Sequence, residues 1–435
     1  MTGVRPRPGR GPSVTLPLSY LATGAAAFLL ASLGVPWLAG ELAGHYYHPR
    51  LLALTHTVAL GWITLTIMGA SYQLIPIVLA RPLFSERLAR WQLLILAAGI
   101  VGMVAHFYIG HRAGLVWAAA VVGVGIVVHL VNVTLTLRGL PRWSFTARLV
   151  AGAHGGLGGT LLFGLALAAA RASGAWPADP LAAVQAHFHL ALLGWVAPMV
   201  MGVSARVYPM FLLAPEPGAA LGWAQLGGLG LGVPVLVAGL LAAPGLVLPG
   251  ALAVAAALGA HATGVATMAR RRKRPALDWG LRFVLTGTAF LLPATLLGLG
   301  LATDRLSGPR PALAYAVLAL GGWVSVTIVG MLLKIVPFLV WTHVYAPHAG
   351  RAPVPTLAQL SWPVAEGLAY AGLTGGIAAL AAAVAAGAPE WIRAAGVLLA
   401  LGAFAFGATL ARVLSHLTAG AARRPAATSA SVSSR

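Results

Sequence analysis

The sequence predicts an all-α membrane protein, with twelve transmembrane helices in three pseudo-threefold-related four-helix units. Composition, a series of apolar runs and an internal repeat carry that expectation. Of 435 residues, 59% are hydrophobic and 8% charged, where a soluble domain carries about 25% charged residues. A water-soluble fold of this composition would expose apolar surface on every side, so a bilayer is the solvent. The 54 glycines suit helices that pack backbone to backbone in lipid. There is no cysteine, which excludes disulfides, iron–sulfur clusters, thiolate zinc sites and covalent CxxCH heme attachment.

A spanning helix needs about 20 mainly apolar residues. Runs of that kind occupy 15–39, 50–80, 90–110, 113–138, 147–170, 181–213, 219–243, 247–269, 281–302, 312–341, 363–387 and 391–418. The first follows a short segment, 1–14, and lacks a small-residue cleavage site, so it reads as a retained helix and not a signal peptide. After the last comes 421–435, a Ser/Ala/Arg tail that cannot bury a core and is expected to be disordered.

The net charge is +20. It sits in short loops and forms no continuous basic face, which argues against nucleic acid as a partner. With the N-terminus in the cytoplasm, the inner segments hold Arg5, Arg7 and Arg10; Arg81, Arg87 and Arg90; Arg138, Arg142 and Arg148; Arg270, Arg271, Arg272, Lys273, Arg274 and Arg282; Arg351; and Arg423, Arg424 and Arg435. The outer segments hold fewer: Arg50, Arg112, Arg171, Arg305, Arg310 and Arg393. This is the positive-inside pattern of a multi-pass inner or plasma membrane protein with both termini cytoplasmic.

The repeat lies in the second, sixth and tenth runs. HTVALGWITLTIMGASYQLIPIVL (56–79), HLALLGWVAPMVMGVSARVYPMFL (189–212) and VLALGGWVSVTIVGMLLKIVPFLV (317–340) align without a gap. Gly-Trp recurs at Gly61-Trp62, Gly194-Trp195 and Gly322-Trp323. Gly69, Gly202 and Gly330 follow, then Pro76, Pro209 and Pro337. The units are expected at 15–138, 147–269 and 281–418. The Trp falls mid-span and is expected to pack between helices. The Pro breaks a ladder that neighbouring helices can re-satisfy.

Ionisable residues inside a membrane are functional candidates by default. The sequence places His56, His187 and His189 at similar depth in the outer half of the bilayer. His106 and His111 share that level, and His45 and His48 lie in the loop above. A looser inner group, His129, His154, His261 and His416, reads as packing and hydrogen bonding to carbonyls. His187 and His189, two apart on a helix, point about 200° apart. They suit two sites on opposite sides of one helix. Neutral imidazole is a common axial ligand of heme iron. Gln73, Arg206 and Lys334 occupy one equivalent position of the repeat in the inner half. They read either as a polar lining, with Tyr315, or as side chains snorkelling to the inner interface.

Twelve helices in three groups of four, with Ala186-His187-Phe188-His189 and another His on the second helix, resemble the heme–copper oxidase subunit I superfamily. That superfamily includes the catalytic subunits of cytochrome oxidase and nitric oxide reductase, and NnrS-like relatives. The resemblance covers the whole membrane region. It implies heme b, one or two per chain, with His56, His187 and His189 as cofactor ligands and His106 and His111 as further metal candidates. The implied partners are the lipid bilayer, an electron donor such as cytochrome c or quinol, and a diatomic gas. In the oxidases the H-x-H lies on the tenth helix; here Tyr315 and Val317 stand there. The seventh run has no His, so the heme-binding part of the resemblance transfers better than the copper part. The pairing stays open. The repeat favours His56 with His187, leaving His189 for a second heme, and the oxidase motif order favours His56 with His189.

The expected function is therefore that of a heme-binding membrane protein in electron transfer or in NO or O2 handling, an oxidoreductase if it turns over. The alternatives are a heme or copper assembly factor and a solute transporter or channel without redox activity.

Overall fold

The computed structural model describes residues 13–79, 81–140, 142–175 and 179–422, without the side chains of residues 78 and 419–422. Most of the N-terminal segment, and residues 423–435 of the tail expected to be disordered, lie outside the described residues. Twelve helices are long and apolar enough to cross a membrane: α1 Thr15–Trp37, α2 Pro49–Ile77, α3 Glu86–Ile109, α4 Arg112–Leu137, α5 Phe145–Ser173, α6 Pro180–Leu212, α7 Ala219–Leu241, α8 Pro244–Arg270, α9 Trp279–Ala302, α10 Pro309–Val344, α11 Pro363–Ala386 and α12 Pro389–Thr418. Among the described residues there is no strand. The chain is an integral, multi-pass membrane protein. An even number of spans puts Thr15 and Thr418 on one face, called here the terminal face; the other is the far face.

Helix ends follow from local chemistry. Ser85 and Ser144 cap α3 and α5, each accepting a backbone N–H at 3.2 Å. Gly110, Gly174 and Gly387 end α3, α5 and α11 in the left-handed region, at φ 74°, 76° and 67°, which costs glycine little. Asp278 caps α9 through Leu281 N–H at 3.0 Å, and its other oxygen takes Lys334 Nζ at 2.6 Å. Asp278→Ala is expected to cost about 1 kcal/mol from the cap alone, read as a lower melting temperature in detergent. Asp278→Asn should recover most of that loss.

Burial sorts the helices into an inner ring and an outer shell. In the best apolar window, α10 is 72% buried, α6 61% and α2 56%, against 28% for α3, α5 and α9. The three repeat-bearing helices are thus the inner ring. Their motif glycines are where each packs on the helix before it. A Cβ on Gly61 would meet Ala27 of α1 at 3.0 Å, one on Gly202 would meet Leu149 of α5 at 3.0 Å, and one on Gly322 would meet Phe290 of α9 at 2.7 Å. Small residues let helix backbones approach in this way.

The motif tryptophans fill the centre of the ring. Trp62, Trp195 and Trp323 are almost wholly buried. Trp62 Nε1–H donates to Ser325 Oγ of α10 at 3.0 Å, and Trp195 Nε1–H to Thr64 Oγ1 of α2 at 3.3 Å. Pro76, Pro209 and Pro337 sit inside continuous helix. The ladder departs from α geometry elsewhere, in π-helical stretches at Thr57–Thr64, Leu190–Val196 and Val317–Ser325. The same stretch of all three inner helices, beside Gly-Trp, is therefore wound wide. Such segments often mark functional sites.

Candidate functional site

The π stretches begin immediately after His56 in α2, after His189 in α6 and after Ala316 in α10. A π turn shifts the helical phase, so these histidines stand where each inner helix changes the face it presents. Toward the far face the inner ring opens into a cavity of about 670 Å³, within the range of about 300–1,000 Å³ typical of cofactor and ligand pockets. His56, His187, His189 and Tyr315 line it, together with a mostly aliphatic wall. Its floor includes Thr64, Trp195 and Trp323.

The two histidines of the H-x-H face different sides of α6. His187 turns toward α5, its ring centroid 6.1 Å from that of Phe163. Its ring also abuts Gly164 of α5, where a Cβ would meet Cε1 at 3.0 Å. His189 stacks on Tyr315 of α10, with ring centroids 5.8 Å apart and planes at 20°. So His189 and Tyr315 share the α6–α10 side of the cavity, while His187 faces α5 and His56 lines the same cavity from α2. His56 Nδ1–H donates to Leu52 O at 2.7 Å, and His189 Nδ1–H to Gln185 O at 2.8 Å. A carbonyl can only accept, so both rings are the Nδ1–H tautomer with the Nε2 lone pair free. Metal-ligating histidines are commonly oriented in this way. His187 Nδ1 is buried with no hydrogen-bond partner among the described residues.

The remaining candidates lie apart from this cavity. His106 and His111 bond each other through their Nδ1 atoms, 3.2 Å apart, at an exposed position on the far face. Neither lines the cavity. Among the described residues no group of three or more His, Cys, Asp or Glu is placed to hold a metal ion; the five metal candidates form no single cluster. Gln73, Arg206 and Lys334 do not line the cavity either. Arg206 is exposed and pairs with Glu216 at 2.6 Å, while Lys334 pairs with Asp278. Gln73 Oε1 is buried without a partner among the described residues. Tyr315 is the one member of that polar set on the cavity wall.

Two of the inner histidines, expected mainly to pack and to bond carbonyls, join a wider network. His154 Nδ1–H donates to Val150 O at 2.6 Å, so His154 Nε2 accepts from His129 Nε2–H at 3.2 Å. His129 Nδ1 in turn accepts from the Tyr72 hydroxyl at 2.9 Å. Tyr72 neighbours Gln92 Oε1 at 3.2 Å, and Tyr20 donates to the same oxygen. Five helices, α1 to α5, contribute one side chain each. Besides the two histidines, the signals in the sequence were Tyr20, Tyr72 and Gln92 within otherwise apolar runs. The His129 and His154 rings both stand edge-on to Trp195 of the cavity floor, with centroids at 6.1 and 5.4 Å. Trp62, by contrast, is flanked by Phe28 and Phe406. The three contacts between inner helices are chemically unlike one another.

No protein-family model matches the chain, and no curated protein does. Among solved structures, the chain is similar to a heme–copper terminal oxidase determined as a dimer by cryo-EM. The TM-score is 0.62 at 14% identity, covering 94% of this chain and 82% of that one. The two share a fold, that of the heme–copper oxidase subunit I class.

Proposed function

We propose that this protein binds heme b in the far-face cavity and serves electron transfer or the handling of NO or O2. The observation that carries the reading is the set of three half-buried imidazoles on one apolar cavity, two of them with Nδ1 tied to a carbonyl and Nε2 free. The cavity's volume and apolar wall suit a porphyrin, and His187 Nδ1 is a buried polar atom whose ring still needs a partner.

His56 and His187 would hold one iron from facing helices; His189, on the other side of α6, would hold a second. Heme supplies an iron that exchanges one electron and, with an axial position open, binds a diatomic gas. The protein's part is to orient and to exclude. Leu52 O and Gln185 O fix the tautomers. Phe107, stacked on His56 with centroids 4.7 Å apart, fixes that ring's plane. Arg171, at the mouth and bonded to the Tyr47 hydroxyl at 2.7 Å, is a cation suited to heme carboxylates. Tyr315 beside His189 offers a hydroxyl on the α6–α10 side, where a gas rather than a second imidazole would complete an iron. Electrons would come from cytochrome c or a quinol.

Protein purified after heme-replete expression should show a Soret band that shifts on reduction and again on adding NO. Solute flux in liposomes from heme-free protein would overturn the reading in favour of a transporter. A heme that neither NO nor O2 perturbs would favour an assembly role over an enzyme.

A further inference from the structure

At its tryptophan α10 lacks the partner that α2 and α6 have. Trp62 and Trp195 donate to Ser325 and Thr64, each three residues after a motif glycine. In α6 that position is Ala197, and Trp323 Nε1 is buried with no partner among the described residues. A second hydroxyl is missing nearby. On α2, the Tyr72 hydroxyl lies between Gln92 of α3 and His129 of α4. The gapless repeat sets Ala205 against Tyr72, while α7 and α8 keep a Gln and a His as Gln225 and His261. Gln225 Oε1 and His261 Nε2 are both buried and unpartnered among the described residues. His261 sits beside Trp323, with centroids 6.5 Å apart, as His129 sits beside Trp195.

Three polar atoms thus lack hydrogen bonds where two hydroxyls have been lost, a condition native interiors relieve with ordered water. The apolar core also divides here. Leu258 of α8 belongs to the main core. Val265 and Met268, about one and two turns beyond His261, belong to a separate cluster with Tyr208, Leu281 and Val284. Trp323 is also part of the cavity lining.

We propose that the contact between α6, α8 and α10 is a binding site for one water-sized ligand, water itself, held by Trp323 Nε1, His261 Nε2 and the Gln225 side chain. The donor–acceptor balance selects the ligand. An indole N–H can only donate and an amide oxygen can only accept, so the guest must both accept and donate. Water does so; O2 and NO carry no hydrogen to give. The site places an exchangeable proton beside the cavity that carries His189 and Tyr315, and it stands whether or not heme binds.

The test is a cryo-EM map of the purified chain in nanodiscs at a resolution that shows ordered water, with deuterium exchange of the Trp323 indole hydrogen read against Trp323→Phe. Wild type should show density about 3 Å from both Trp323 Nε1 and His261 Nε2, and its indole should exchange readily. Ala197→Thr, which supplies the hydroxyl Trp195 already has, should slow that exchange about fivefold, the effect of one hydrogen bond that must first break. Ala205→Tyr should displace the density at His261. Close packing with no density, or equal exchange in wild type and Ala197→Thr, would overturn the proposal. Should Ala205→Tyr fail to fold, the wild-type map and the Ala197→Thr comparison still decide it.

Discussion

His187→Ala is expected to remove the heme held on the α2–α6 side of the cavity, and with it that heme's share of the Soret band. If the protein holds one heme, the band disappears; if two, about half is lost, and His189→Ala removes the rest. The expectation follows from the two faces of α6. His187 abuts Gly164 of α5, and His189 stacks on Tyr315 of α10, so the two substitutions should act on different irons and add. His56→Ala should reproduce His187→Ala, because a six-coordinate iron loses one of the same two ligands. His106→Ala and His111→Ala should leave the spectrum unchanged, since that pair bonds within itself outside the cavity. A loss of heme equal in His106→Ala and His187→Ala would contradict the assignment.

Gly156→Leu is expected to destabilise the protein strongly by forcing α5 and α6 apart. Even the first carbon of a side chain there would press on the backbone of Gly194, reaching its Cα at 2.9 Å and its carbonyl more closely still. Backbone cannot swing aside as a flexible side chain can, so α5 and α6 must separate. Overpacking in a dense interior costs about 1–3 kcal/mol, and this contact lies at the upper end because Gly194 belongs to the π stretch that sets the cavity wall. The melting temperature in detergent should fall, and heme content should fall with it, because His187 and His189 ride on the displaced helix. Gly155→Leu is the control. A Cβ there meets nothing within 4 Å, so it should be nearly silent.

Much of this architecture was legible in the chain. Twelve apolar runs became twelve helices, and the Gly-Trp segments became the inner ring, because lipid demands long uninterrupted helices and close approach demands glycine. The H-x-H spacing likewise implied two opposed faces of one helix, whatever the packing. Other features depended on packing that spacing does not encode. The π stretches change the ladder from i→i+4 to i→i+5 without a residue type that announces it. His129 and His154 are far apart along the chain and meet only because α4 and α5 pack side by side. From their shared repeat position Arg206 and Lys334 read either as a lining or as side chains snorkelling to the interface; acids just beyond the helix ends, Glu216 and Asp278, pair with them there. Charged side chains that can reach an interface and a partner do so, since leaving them unpaired in hydrocarbon is costly. The third tryptophan's missing acceptor was written in Ala197, but its meaning appeared only once Trp62 and Trp195 showed where their N–H groups point.

The measurement that tests the central claim most directly is a pyridine-hemochrome assay with parallel iron and copper analysis on protein purified after heme-replete expression. The proposed function predicts heme b, one or two per chain, with iron in equal amount and lost in His187→Ala. Protein that is folded and monodisperse, yet carries neither iron nor hemochrome, would contradict it.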